Sequence, residues 1–274
     1  MLLADKKNFI VDAQILNKMA KPNIAIVWFP GNNCEVETLE AVRAAGMDGK
    51  ILRWNTKQEL GEFDGFIVPG GWSYEDRIRA GVIAAKDPVM GIIKEEAGKG
   101  KPVLGICNGA QVLVETGMVP GLENKVQFAL APNRNPIVSG YYNTWVHLKN
   151  INNKTAFTNA FEKNELLCLP IAHGEGRFVT KDSKLAAQLI KNNQIIFQYC
   201  DEKGKVENKF PANPNGSMLN IAAISNREGN VMAIMPHAER AIWQRQIPHA
   251  IKSDRLTNNI RIFESMKRHI QSVK

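Results

Sequence analysis

Residues Val103 to Gln111 read V-L-G-I-C-N-G-A-Q, an apolar run closed by Gly-x-Cys-x-Gly with an amphipathic segment directly behind it. The pattern predicts a strand, a sharp turn and a helix, with the thiol of Cys107 at the tip of the turn. With serine at that position it is the nucleophile elbow of hydrolases, where small flanking residues permit a strained turn. A cysteine there gains twice: the helix N-terminus favours its thiolate, and the amides of the first turn can hold an oxyanion. Free cysteine also commonly packs as a small hydrophobe. Nucleophilic chemistry at Cys107 therefore requires a base, and a third group to orient that base.

The chain has five histidines, at 147, 173, 237, 249 and 269. His237 follows an apolar strand in M-P-H-A-E-R, with Glu239 two residues on. In an extended segment such neighbours face the same way, so Glu239 can orient the His237 imidazole and complete a triad with Cys107. His173 lies in P-I-A-H-G-E-G, just past another strand. The glycines around Glu175 suit a backbone that approaches something closely, either a substrate or simply its own turn. His147 alternates within a strand and reads as structural, while His269 falls in a solvated basic segment.

Gly70-Gly71-Trp72-Ser73 also follows a strand. Paired glycines let backbone amides point at an oxyanion, or they make a tight strand-to-helix turn. Cys34 precedes a helix as well, but no glycine follows it to permit an elbow, and it is set aside as a nucleophile.

These side chains need a scaffold that gathers strand ends. Ile24–Phe29, Ile51–Trp54, Gly65–Pro69 and Pro102–Ile106 read as short strands, with helices at Cys34–Ala45 and Pro88–Ala97 between them. The alternation predicts an α/β fold: a mostly parallel sheet with helices on both faces. The second half is richer in strands, at Thr144–Leu148, Glu165–Ile171, Gln194–Cys200, Ile221–Ser225 and Asn230–Met235. On such sheets the active site lies at the carboxyl ends of strands, where Cys107 and His237 both fall.

The 274 residues, 44% hydrophobic, can bury a sizeable core. Four scattered cysteines make neither a C-x-x-C pair nor a zinc spacing, which suits a reducing, cytoplasmic setting. The opening M-L-L-A-D-K-K-N-F-I lacks the apolar core of a secretory signal, and no segment is apolar for long enough to span a bilayer. The net charge of +8 is dispersed and unaccompanied by a recognition motif, which argues against nucleic acid as a partner. Phe9 to Met19 reads as one helix within an N-terminal extension of residues 1–22, and residues 23–250 form the domain. Residues 251–274 form a basic helical tail with Ile260, Ile262, Phe263 and Met266 on one face.

Taken in order, F-P-G-N-N-C-E, V-P-G-G-W-S-Y-E-D-R-I-R-A-G, L-G-I-C-N-G-A-Q, P-I-A-H-G-E-G and M-P-H-A-E-R resemble the triad-type (class I) glutamine amidotransferases. Within them the match is to the amidotransferase subunits of phosphoribosylformylglycinamidine synthase, over about Ile24 to Trp243. The resemblance implies a flavodoxin-like sheet, with Cys107 as nucleophile, His237 as base and acid, and Glu239 as its orienter. It implies an oxyanion hole from the amides of Gly71 and Asn108, and a glutamine pocket using Gln111, His173, Gly174 and Glu175. No metal is expected in the site and no cofactor on this chain. L-glutamine is the implied substrate, and the ammonia is implied to pass to an ATP-dependent synthetase subunit (PurL-type). ATP and magnesium are expected there, since this chain has no G-x-x-x-x-G-K-[ST] loop. A small bridging subunit (PurS-type) is a further partner of such complexes. The sequence departs from the family pattern at Trp72, where phenylalanine is common, and at Glu75, where glycine is common. Another class I amidotransferase, a cysteine hydrolase on the same sheet, and a non-catalytic regulatory subunit are the alternatives.

Overall fold

The computed structural model describes residues 21–274 other than Asn124, His249 and Ile251. The helix expected at Phe9 to Met19 lies outside the described residues. In chain order the elements are β1 (Asn23–Trp28), α1 (Glu35–Ala44), β2 (Asp48–Arg53), β3 (Gly65–Val68), α2 (Pro88–Gly98), β4 (Val103–Ile106), α3 (Asn108–Glu115) and β5 (Ala129–Ala131). There follow β6 (Tyr142–Asn150), β7 (Leu166–His173), β8 (Arg177–Val179), α4 (Ser183–Lys191), β9 (Ile195–Cys200), β10 (Ile221–Ser225), β11 (Val231–Ile234) and α5 (Arg261–Val273).

One nine-stranded sheet runs β2-β1-β3-β4-β11-β10-β9-β6-β7. From β2 to β11 every pairing is parallel. From β11 onward every pairing is antiparallel. The strand-rich second half therefore extends the same sheet. Burial follows this division. Strands β3, β4 and β11 are buried at every residue, as parallel strands covered on both faces must be. Strand β7 alternates instead, and its pleat turns Leu167, Leu169, Ile171 and His173 to the buried face. His173, expected just beyond a strand, is the last residue of β7.

Helix starts carry their own signals. Asp87 accepts the Val89 N–H at 3.1 Å and is followed by Pro88, a residue preorganised for the first helical turn. Asp182 caps α4 in the same way, accepting from Lys184 at 2.8 Å. The apolar face of α5, formed by Ile262, Phe263, Met266 and Ile270, is buried in the same core as the sheet. Lys274 pairs with Asp64 at 2.7 Å. Among the described residues no helix is long and apolar enough to cross a membrane.

Candidate active site

Cys107 connects β4 to α3 with φ 51° and ψ −106°, a left-handed backbone at a residue bearing a side chain. Such a conformation costs on the order of 1–3 kcal/mol and persists only where its surroundings enforce it. The enforcement is visible. The Cys107 N–H donates to the Ile234 carbonyl at 2.8 Å, carrying the β4–β11 ladder up to the elbow. Behind the turn, a Cβ on Gly109 would lie 1.9 Å from the Val68 carbonyl oxygen, so only glycine lets α3 approach β3 this closely. The strand, elbow and helix expected from G-x-C-x-G are all present.

The His237 N–H donates to the Pro170 carbonyl at 2.9 Å, which shows that the sheet curls until β7 returns beside the end of β11. A single 3-10 turn, Ala238–Arg240, begins directly after His237 where the sequence suggested an extended run. The turn still delivers the pair: His237 Nδ1 lies 2.6 Å from Glu239 Oε1, both side chains buried. A carboxylate only accepts, so Nδ1 carries the proton in this bond and Nε2 is left to exchange one with a reactant. Burial alone would depress the imidazole. The Glu239 carboxylate, the Cys107 thiol and the Cys34 thiol oppose it more strongly, and His237 is held well above its ordinary 6.5.

Gly70 explains how these groups fit together. A Cβ there would lie 2.8 Å from His237 Cε1, 3.1 Å from Cys34 Sγ and 3.4 Å from Cys107 Cβ. One imidazole and two thiols thus surround one bare backbone position. Its neighbour Gly71 has φ 133° and pairs across to Asn32. No acceptor for the Gly71 N–H is found among the described residues. The Asn108 N–H belongs to the first turn of α3, where amides have no intrahelical partner.

Cys107, Gly71, Gln111, His173, Gly174 and Glu175 line one cavity of about 210 Å³, while His237, Glu239 and Asn108 are buried and not part of its lining. The Asn108 side chain ties the walls together. Its Nδ2 donates to Gln111 Oε1 at 2.9 Å and to Asp76 Oδ1 at 3.0 Å. Its Oδ1 accepts from the Ser73 N–H at 3.0 Å and from Asn32 Nδ2 at 3.2 Å. Gln111 Nε2 donates in turn to the Glu175 carbonyl at 2.7 Å. Burial, and then the charge of His237, pushes His173 down to about 3, so this imidazole is neutral. Its Nδ1 meets Asn133 Oδ1 at 3.0 Å, and Asn133 Nδ2 donates back to the His173 carbonyl at 2.6 Å.

Four of these residues escaped the sequence reading. Asn133 lies in no motif, and Asn32, though inside F-P-G-N-N-C-E, gains its partners on Asn108 and Pro69 only through the pairing of distant loops. Asp76 sat unremarked inside a recognised stretch. Cys34, set aside as a nucleophile, has its Sγ 4.0 Å from His237 Nδ1, and burial raises its thiol above the usual range. The bridge between Asn32 and Gly71 brings it there. At the rim, Trp72 stacks on Tyr141 with ring centroids 6.1 Å apart, while Glu75 turns outward to pair with Arg77.

Donor atoms of Cys34, His237 and Glu239 all lie within 4.8 Å of one another. Two ligands on a tetrahedral metal stand roughly 3.3 Å apart, given bonds of about 2.0 Å. The 2.6 Å contact between His237 and Glu239 is shorter, and it is a hydrogen bond.

A profile of the CobB/CobQ-like glutamine amidotransferase domain matches residues 21–270. The phosphoribosylformylglycinamidine synthase subunit PurQ of Methanothrix thermoacetophila is 49% identical over 259 residues, covering 90% of this chain and 98% of that protein. The PurQ subunit of Pyrococcus furiosus is 46% identical over 217 residues, covering 79% and 88% respectively. Among solved structures, PurLQS from Thermotoga maritima superposes with a TM-score of 0.72 at 31% identity, over 93% of this chain and all of that one. A strained cysteine elbow, a buried His-Glu pair and this kinship agree: the chain belongs to the CobB/CobQ-like glutamine amidotransferases, and within them it is of the PurQ type.

Proposed function

We propose that this chain is the glutaminase subunit of a cytoplasmic phosphoribosylformylglycinamidine synthase, supplying ammonia for purine biosynthesis. The observation that carries the reading is the convergence of Cys107 with the buried His237–Glu239 pair beside a pocket closed by Gln111 and Glu175. The names of the relatives, and the Thermotoga assembly solved as PurLQS, support the wider role.

Cys107 attacks the side-chain carbonyl of L-glutamine as a thiolate, its proton residing on His237. Negative charge then develops on the carbonyl oxygen, within reach of the amides of Gly71 and Asn108. His237, held cationic by Glu239, gives its proton to the departing nitrogen. The C–N bond breaks, ammonia leaves, and a γ-glutamyl thioester remains on Cys107. The now neutral His237 takes a proton from water, the hydroxide adds to the thioester, and the C–S bond breaks to release glutamate. Gln111, His173, Gly174 and Glu175 hold the amino-acid end of the substrate.

In this reading residues 23–250 carry the chemistry, and residues 251–274 support it from outside the pocket. ATP and magnesium act on a PurL-type synthetase subunit, and a PurS-type subunit completes the assembly. Ammonia release from glutamine, measured with and without the synthetase, tests the proposal. Weak turnover alone and strong turnover in the complex are expected, with glutamine preferred over simple esters and peptides. Preference for esters or peptides would instead indicate a cysteine hydrolase, and equal turnover with and without the partner would contradict the coupling.

A further inference from the structure

β7 ends the nine-stranded sheet, and the site is assembled along its outer edge. Four alternate carbonyls on that edge each meet a donor from outside the sheet. Leu166 accepts from Asn258 Nδ2 at 3.1 Å, Cys168 from Asn259 Nδ2 at 3.1 Å and Pro170 from the His237 N–H at 2.9 Å. The fourth, Ala172, accepts from the Cys107 thiol at 3.7 Å. An edge strand must pair its backbone groups with something. Here the base, the nucleophile and two asparagines of the C-terminal segment share one row.

The same segment grips the far side of the catalytic turn. Ala241 directly follows the Ala238–Arg240 turn, and its carbonyl accepts two bonds, from Thr257 Oγ1 at 2.6 Å and from Asn259 Nδ2 at 2.8 Å. The Thr257 N–H donates to the next carbonyl, that of Ile242, at 2.8 Å. Asn259 is buried, so its amide bridges β7 and the turn without competition from water. His237 and Glu239 are thus fixed from both ends, by Pro170 where the turn begins and by Thr257 and Asn259 where it closes. Neither Thr257 nor Asn259 lines the pocket.

We propose that Thr257 and Asn259 are positioning residues for the reaction: by holding the Glu239 turn against β7 they set where the His237 imidazole stands relative to Cys107. The proposal rests on the glutaminase reading for its kinetic test, and extends that reading to a segment beyond residues 23–250. Ser265 provides the contrast. It belongs to the same segment and is fully buried, but its bonds run to Asn159 and Ala160 instead: the Ser265 carbonyl accepts from Asn159 Nδ2 at 3.1 Å, and Oγ accepts from the Ala160 N–H at 3.0 Å.

The test compares Asn259→Ala, Thr257→Val and Ser265→Ala in the full chain, in complex with its synthetase. Asn259→Ala is expected to lower kcat for glutamine hydrolysis by roughly 10- to 100-fold, the effect of misplacing a catalytic group by about 1 Å. Its KM should change by less than about threefold, because no substrate contact is removed. Thr257→Val keeps the shape and loses one bond to Ala241; it should lower kcat by about 3- to 10-fold, and it carries the test if Asn259→Ala does not fold. Ser265→Ala should lower the urea midpoint yet leave kcat within about twofold. An unchanged kcat in both clamp variants, or a loss matched by Ser265→Ala, would overturn the proposal. Alkylation of Cys107 by iodoacetamide at neutral pH, followed by peptide mass spectrometry, needs no glutamine and separates the two readings. The reactive thiolate depends on a well-placed imidazolium, so the clamp variants should alkylate Cys107 more slowly than the natural chain and Ser265→Ala do. If the natural complex fails to hydrolyse glutamine, yet alkylation still slows in the clamp variants, the glutaminase reading falls and the positioning stands. Equal alkylation rates in all four chains would overturn the positioning itself.

Discussion

His237 Nδ1 and Glu239 Oε1 stand 2.6 Å apart in the protein interior, across the start of a 3-10 turn. This bond fixes which imidazole nitrogen is free to work, and holds the ring cationic against the cost of burial. Glu239→Gln keeps the shape but lets the imidazole settle in the other tautomer and removes the charge that raises it. A loss in kcat of about 10⁴ is expected, as for comparable substitutions in other triads. Steady-state ammonia release checks it, and a loss below tenfold would deny Glu239 its orienting role.

Gly109→Ala tests the elbow without touching a reacting group. The new methyl would lie 1.9 Å from the Val68 carbonyl oxygen and 2.6 Å from its carbonyl carbon, backbone atoms of β3 that cannot swing aside. Overpacking of this kind costs about 1–3 kcal/mol, and more where the backbone must shift. A clear fall in the urea midpoint is expected, together with loss of glutaminase activity as Cys107 is displaced.

His173 makes a pH-dependent contribution whose sign follows from its depressed value. Unfolded, it titrates near 6.5, whereas folded it remains neutral down to about 3. Between these values the unfolded chain binds the extra proton, so His173 costs stability as pH falls, by about 1.4 kcal/mol per unit. His237, raised in the folded state, acts in the opposite sense, and its contribution is lost as pH rises through its folded value. Comparing urea midpoints at pH 7.5 and 5.5 for the natural chain and for His173→Gln isolates the first effect. The natural chain should lose about 1–2 kcal/mol more than the variant on acidification, and equal losses would show that His173 is not buried as a neutral ring.

Helix α5 is basic on one face and part of the core on the other. Phe263 is fully buried, and Phe263→Ala should cost about 3–5 kcal/mol. Thermal or urea unfolding measures it, and a change below 1 kcal/mol would mean that the helix is peripheral.

The legible parts of this protein were those where one short segment carries both the signal and the geometry. The elbow is such a case: its glycines, apolar strand and helix are contiguous, and its strain follows from them. The inner parallel strands β1, β3, β4 and β11 are equally plain, because burial on both faces demands continuous apolar runs, whereas the mostly unburied edge strand β2 begins three residues before the expected Ile51–Trp54 run. Helix α4 escaped because only Leu185 and Leu189 of its nine residues are buried, too few to mark a period. The three-residue strands β5 and β8 pair only with each other, across some fifty residues, and nothing local announces them. The elbow motif marks the backbone amide of Asn108, whereas its side chain joins four residues of the site, Asn32, Ser73, Asp76 and Gln111. The turn around Cys34 gives no sign of its nearness to His237, because that proximity arises from two loops meeting at Asn32 and Gly71.

The most direct test of the account is covalent labelling with a diazo-ketone analogue of glutamine, mapped by peptide mass spectrometry with and without excess L-glutamine. The chain is labelled in complex with its synthetase, so that an unassembled pocket is not mistaken for an absent one. The account predicts a single label on Cys107 that glutamine blocks and that Cys107→Ala abolishes. A label on Cys34, or one on Cys107 that glutamine does not protect, would contradict it, because the reactive thiol would then stand outside a glutamine site.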